Sequence, residues 1–97
     1  MAQNKQHLEE LARFIRSHRN NESHFKVLYE RLVTEQKAAQ AGTNQAQRSY
    51  ADNLNETLEK HATIYQQNKE KGISTWSEFE NMVSHFEKSV TDALNQG

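Results

Sequence analysis

No proline interrupts the 97 residues of this chain, and only three glycines do, Gly42, Gly72 and Gly97. Between them run long segments of Ala, Glu, Gln, Lys, Arg and Leu, residues that lose little on entering a helix. No segment of useful length alternates apolar and polar residues with period two, as a half-buried strand must. The chain therefore has almost nowhere to turn and little with which to build a sheet, and the expected fold class is all-α.

A chain of this length is one domain with a single core. Hydrophobic residues make up only 34% of it, so once the helix faces are filled little apolar surface remains for a deep pocket. Such a chain forms elongated helices with narrow apolar seams, or completes its core with a partner. The formal net charge of -1 and the regular recurrence of Leu, Val and aromatic residues argue against disorder.

Helical periodicity divides the chain. Leu8, Leu11, Ile15 and His18, with Phe14 beside them, mark one face, and Asn4 is a candidate cap. The polar run SHRNNES follows, where Asn20 and Asn21 can break the helix or a polar helix can continue through. Phe25, Leu28 and Leu32, flanked by Val27, Tyr29 and Val33, mark a second face that fades towards Gly42-Thr43-Asn44. A third and weaker face carries Tyr50, Ala51, Leu54, Leu58, His61, Ala62 and Tyr65. Its alanines suit a helix packed in the middle of a structure or along a partner.

Lys69, Lys71 and Gly72 read as a helix C-terminus, because glycine accepts the left-handed conformation and lysine complements the last carbonyls. Ile73 falls where a Schellman motif places its hydrophobic contact. Thr75-Trp76-Ser77-Glu78 matches a capping box, and the helix it opens has the best periodicity in the chain: Trp76, Phe79, Val83, Phe86, Val90 and Leu94. The Trp-x-Gly turn of the small secreted helical-hairpin proteins is absent, since Trp76 is followed by Ser77 and Glu78. The expected architecture is an antiparallel helical bundle of three to four helices, at about 4–19, 22–41, 44–71 and 75–95. It takes on long helical-hairpin or coiled-coil character if the first two are one rod.

Several chemistries lack their residues. With no cysteine there is no disulfide, thiolate metal site or cysteine nucleophile. The five histidines invite a metal, but a dinuclear bundle site needs Glu-x-x-His pairs. His7, His18, His24, His61 and His85 are preceded at minus three by Asn4, Ile15, Asn21, Leu58 and Met82. His18 and His61 fall on apolar faces, where protonation would bear on packing. There is no glycine-rich phosphate loop, nucleophile elbow or Ser-His-Asp spacing, and Glu78, Glu80 and Glu87 read as a solvated acidic face. No enzyme, cofactor or metal site is expected.

MAQNKQHLEEL contains no apolar run, and nothing approaches the roughly 18 apolar residues of a spanning helix; the expectation is a cytoplasmic protein without membrane contact, with signal-independent secretion left open.

Two functions remain. The first is a non-enzymatic protein–protein interaction module, such as an adaptor, assembly subunit or inhibitor, that buries helix faces against a partner or its own copy. Its candidate residues are Trp76, Phe79, Val83, Phe86, Tyr50 and Tyr65, with Leu28, Leu32, Leu54 and Leu58 as the opposing surface. If Trp76 is buried, Trp76→Ala should cost about 3 kcal/mol. The second is a small nucleic-acid-binding regulator using Arg13, Arg16 and Arg19, which step along one side of the first helix. The acidic last helix offers those arginines a different use, as charge complements within the bundle.

Overall fold

The first helix ends because an asparagine stops it. In the computed structural model, which describes residues 5–96, α1 runs Lys5–His18. Asn21 then adopts extended backbone, and its side-chain oxygen accepts from the Ser23 N–H at 3.0 Å and the Ser23 hydroxyl at 2.6 Å. A 3-10 turn, Glu22–His24, leads into α2, Phe25–Gln40. The SHRNNES run is thus a corner and not a continuous rod. The expected Asn4 cap lies outside the described residues.

Asn44 opens α3 by accepting the Gln47 N–H at 2.8 Å. The helix runs as Gln45–Thr57, a π-helical turn at Leu58–Ala62, and Thr63–Lys71, all in right-handed backbone. In the π turn the Thr63 N–H reaches back five residues to the Leu58 carbonyl, which also accepts the Thr63 hydroxyl at 3.1 Å. The extra residue rotates the buried stripe. Tyr50, Leu54 and Thr57 are buried before it and Ala62 and Tyr65 after it, while Leu58 is only half-buried.

Gly72 ends α3 as expected. Its φ is 74°, its N–H bonds the Lys69 carbonyl at 3.2 Å, and the Ile73 N–H bonds the Asn68 carbonyl at 3.0 Å, the pair of bonds that defines a Schellman motif. The expected hydrophobic contact of Ile73 is corrected: Gln67 and Asn68 offer it no apolar surface, and Ile73 stays 53% exposed. The capping box is corrected too. The Thr75 hydroxyl donates to Glu22 instead, and the Glu78 carboxylate lies 3.7 Å from His61 Nδ1. The last helix, α4, spans Trp76–Gln96.

The helices alternate in direction. Phe25 at the start of α2 stacks on Tyr65 near the end of α3, with ring centroids 3.9 Å apart. Further along, Glu35 of α2 meets Tyr50 of α3. α3 lies between α2 and α4, and α1 packs on α4, giving a body 44 × 23 × 17 Å in extent. The weak face of α3 is therefore covered inside the chain by α2 and α4, and its buried Ala51 and Ala62 let these helices approach.

Phe79, Met82, Val83, Phe86 and Val90 of α4 are fully buried together with Leu8, Ile15, Leu28, Leu32 and Leu54. Each such side chain contributes about 1.5–3 kcal/mol relative to exposure. The charge complement between first and last helices is also formed: Arg16 Nε donates to Glu87 at 3.0 Å and Arg19 donates to the other oxygen of the same carboxylate.

Candidate functional site

α1 is shorter than the helix it covers. Its final turns meet Glu87, roughly midway along α4, so the first half of α4 is bounded by the 19–24 corner. That corner is pinned through Glu22, whose Oε2 accepts the Tyr65 hydroxyl at 3.0 Å and the Thr75 hydroxyl. One carboxylate thereby joins three segments: the corner after α1, the end of α3 and the residue before α4. Burial first, and the bond to Glu22 second, raise the Tyr65 hydroxyl above its ordinary pKa, so Tyr65 is a donor here.

Just beyond this joint the apolar surface is open. Trp76, in the first turn of α4, is 43% exposed, and Ile73 three residues before it is 53% exposed. Ile64 and Val27 are the other large hydrophobics left exposed among the described residues, at 39% and 44%. Trp76, which periodicity alone left open between core and interface, lies at the edge of the core. Its ring keeps an edge contact with Phe79, centroids 5.7 Å apart, but the α1 neighbour that would cover it does not extend so far.

The other interface candidates lie inside the chain. Phe79, Val83 and Phe86 are at most 1% exposed and Tyr50 and Tyr65 3%, so no partner reaches them without opening the bundle. Of the arginine stripe, Arg16 and Arg19 are bound to Glu87 and Arg13 is exposed. The structure brings Tyr65 near the joint beneath Trp76 and leaves Tyr50 far along α3.

Tyr50 belongs to a second joint, which the sequence pattern concealed. Glu35 is 2% exposed and accepts from Tyr50 at 3.0 Å, His7 Nε2 at 2.9 and 3.1 Å, and Arg31 at 3.0 Å. Burial, then the Glu35 charge and hydrogen bond, push the Tyr50 hydroxyl well up. The signal was present: Leu28, Leu32, Glu35 and Ala39 step by four, three and four, which puts a glutamate on the core stripe. A charge there requires compensation.

The histidines form two further contacts. At the corner, His18 Nδ1 and His24 Nδ1 lie 2.9 Å apart, and Asn21 Nδ2 is 3.3 Å from His24 Nε2. Because Ser23 donates twice to Asn21 Oδ1, the amide nitrogen must be the atom turned to His24. It donates, so His24 Nε2 is bare, its proton sits on Nδ1, and that proton is given to a bare His18 Nδ1. On the α3–α4 seam, the rings of His61 and His85 lie 4.3 Å apart. His85 Nδ1 donates to the Asn81 carbonyl at 2.8 Å, while buried His61 Nδ1 has no hydrogen-bond partner.

Among the described residues no three His, Asp or Glu side chains converge closely enough to hold a metal ion. Among the described residues no helix is long and apolar enough to cross a membrane. Two surface grooves, one lined by Asn53, Glu56, His85 and Lys88 and one by His7, Leu11, Phe14 and Arg31, are each of about 230–240 Å³ and open to solvent. No protein-family model, curated protein or solved structure matches the chain.

Proposed function

We propose that this chain is a non-enzymatic protein–protein interaction module, an adaptor, assembly subunit or inhibitor, that engages a partner protein or a second copy through the α3–α4 corner. The observation that carries this reading is the exposure of Trp76, the only tryptophan, at 43%. Tryptophan is the residue type most often found at the energetic centre of protein interfaces. Here it stands on a stiff mount: a Schellman turn precedes it and Glu22 ties Thr75 down. A pre-ordered anchor loses little entropy on binding. Ile73, exposed in the same connection, widens the apolar contact.

The arginine stripe supports the bundle more than nucleic-acid contact, because two of its three guanidinium groups are already turned to Glu87.

A double variant, Ile73→Ser with Trp76→Ser, tests the reading. It is expected to keep the wild-type circular dichroism spectrum. It should lose either concentration-dependent self-association in sedimentation, or the crosslinks that a photoreactive residue at Ser77 forms in extracts of the cells that make the protein. Association and crosslinks that persist unchanged in the folded variant would overturn it.

A further inference from the structure

The corner that pins Thr75 is itself closed by the histidine pair, and both histidines have their basic nitrogen occupied. Asn21 Nδ2 donates to His24 Nε2, and His24 Nδ1 donates to His18 Nδ1. A proton added to His18 must go to Nδ1, where it meets the N–H of His24. A proton added to His24 must go to Nε2, where it meets the Asn21 amide. Asn21 cannot turn over to offer its oxygen without giving up both bonds from Ser23 that start the 3-10 turn. Each protonation therefore removes a hydrogen bond from the corner, and charging both rings sets two cationic N–H groups face to face.

We propose that the His18–His24 pair is a proton-operated latch on the Trp76 corner, closed when both imidazoles are neutral and released when they are protonated. Histidine is the side chain that changes charge between about pH 5 and 8. The path from latch to anchor is short. His24 ends the 3-10 turn that begins with Glu22, Glu22 holds Tyr65 and Thr75, and Thr75 precedes Trp76. Phe14 packs on His18 with ring centroids 4.5 Å apart, so the closed latch also joins α1 to the start of α2.

The charged groups of the surroundings are engaged elsewhere or exposed. On α1 and the corner, Arg16 and Arg19 are turned to Glu87 of α4. Glu22 is occupied by hydroxyls from α3 and from the α3–α4 connection, and Lys26 of α2 is exposed. Among the described residues no carboxylate is hydrogen-bonded to either imidazole. As regulation of the docking corner, the latch rests on the proposed function above. As a movement of the corner, it stands or falls by itself.

The test uses Trp76 as the reporter. Acrylamide quenching of its fluorescence is measured between about pH 8 and about pH 5, the range in which histidine titrates, in the wild type, His18→Asn and His85→Asn. Asparagine at position 18 keeps an acceptor near the Nδ1 position but takes up no proton. The expected result is quenching that increases at least twofold on acidification in the wild type and in His85→Asn, with circular dichroism unchanged, and that is at least halved in His18→Asn, which keeps only the His24 protonation. A flat wild-type response, or a full response retained in a folded His18→Asn, would overturn the latch. Crosslinking at Ser77, done at each pH, separates the two proposals. A corner that moves without ever capturing a partner sinks the interaction reading and leaves the latch standing.

Discussion

Two tyrosines of α3 each give their hydroxyl to a glutamate of another segment, and the two joints are built differently. At one end Tyr50 meets Glu35, a carboxylate 2% exposed and flanked by Arg31 and His7. At the other, Tyr65 meets Glu22, whose second donor is the Thr75 hydroxyl and which forms no ion pair among the described residues. The first joint neutralises a buried charge and locks α1, α2 and α3 together. The second is a carboxylate held by two hydroxyls at the edge of the structure, over which the chain exposes its tryptophan. Rigidity and access are thus divided between the two ends of one helix.

The contrast is sharpest in the cost of removing each glutamate. Glu35→Ala would leave Arg31, His7 and Tyr50 turned towards an empty buried site and should destabilise the fold by about 3–5 kcal/mol in urea unfolding. Glu22→Ala removes an acceptor from two hydroxyls that can turn to water, and should cost about 1–2 kcal/mol. Equal losses at the two positions would break the distinction.

Alkali bears on both joints, and most strongly on the locked one. Burial and the Glu35 charge hold the Tyr50 proton in the fold above its ordinary pKa of about 10. The unfolded chain releases that proton near the ordinary value, so the stability it contributes is complete below about pH 10 and declines as pH rises further. Tyr50→Phe should be destabilised at neutral pH by about 1–3 kcal/mol, with one donor to Glu35 lost, and should show a shallower alkaline decline than wild type. A parallel decline in the two proteins would show that Tyr50 does not govern it.

The smallest effect belongs to the open end. Trp76→Ala removes a ring that is 43% exposed, and it should cost about 1 kcal/mol, well short of the 3–5 kcal/mol of a fully buried aromatic. A loss at the larger value would mean that the ring is covered, by a second copy if the loss grows with protein concentration.

These differences mark how far the sequence could be read. The helices and their ends were legible because their causes are local: Asn44 accepts a free N–H, Gly72 takes positive φ, and nothing between them breaks a helix. The internal core was legible from periodicity. Trp76 could not be assigned to core or interface because it shares the apolar period of Phe79, Val83 and Phe86, and periodicity does not report how long the facing helix is. α1 ends level with Glu87, so the first position of the stripe is left uncovered. The histidine corner was legible only as His18 on an apolar face. Its partner, six residues on, depended on the path taken by the 19–24 turn.

The π turn in α3 has a consequence for chain length. Thr57 and Ala62 are both buried although five residues separate them, where an ordinary α-helix would align positions four apart. The helix therefore holds one residue more than its packing uses. Among the residues of the turn, Glu59 and Lys60 are exposed. A chain shortened by one of the two would close the bulge into regular α-helix with Tyr50, Leu54 and Thr57 still aligned above Ala62 and Tyr65. The surplus residue moves Leu58 off the centre of the stripe and sets His61 at the edge of the α3–α4 seam, beside His85. Length at this point is thus free to vary by one without disturbing either half of the helix.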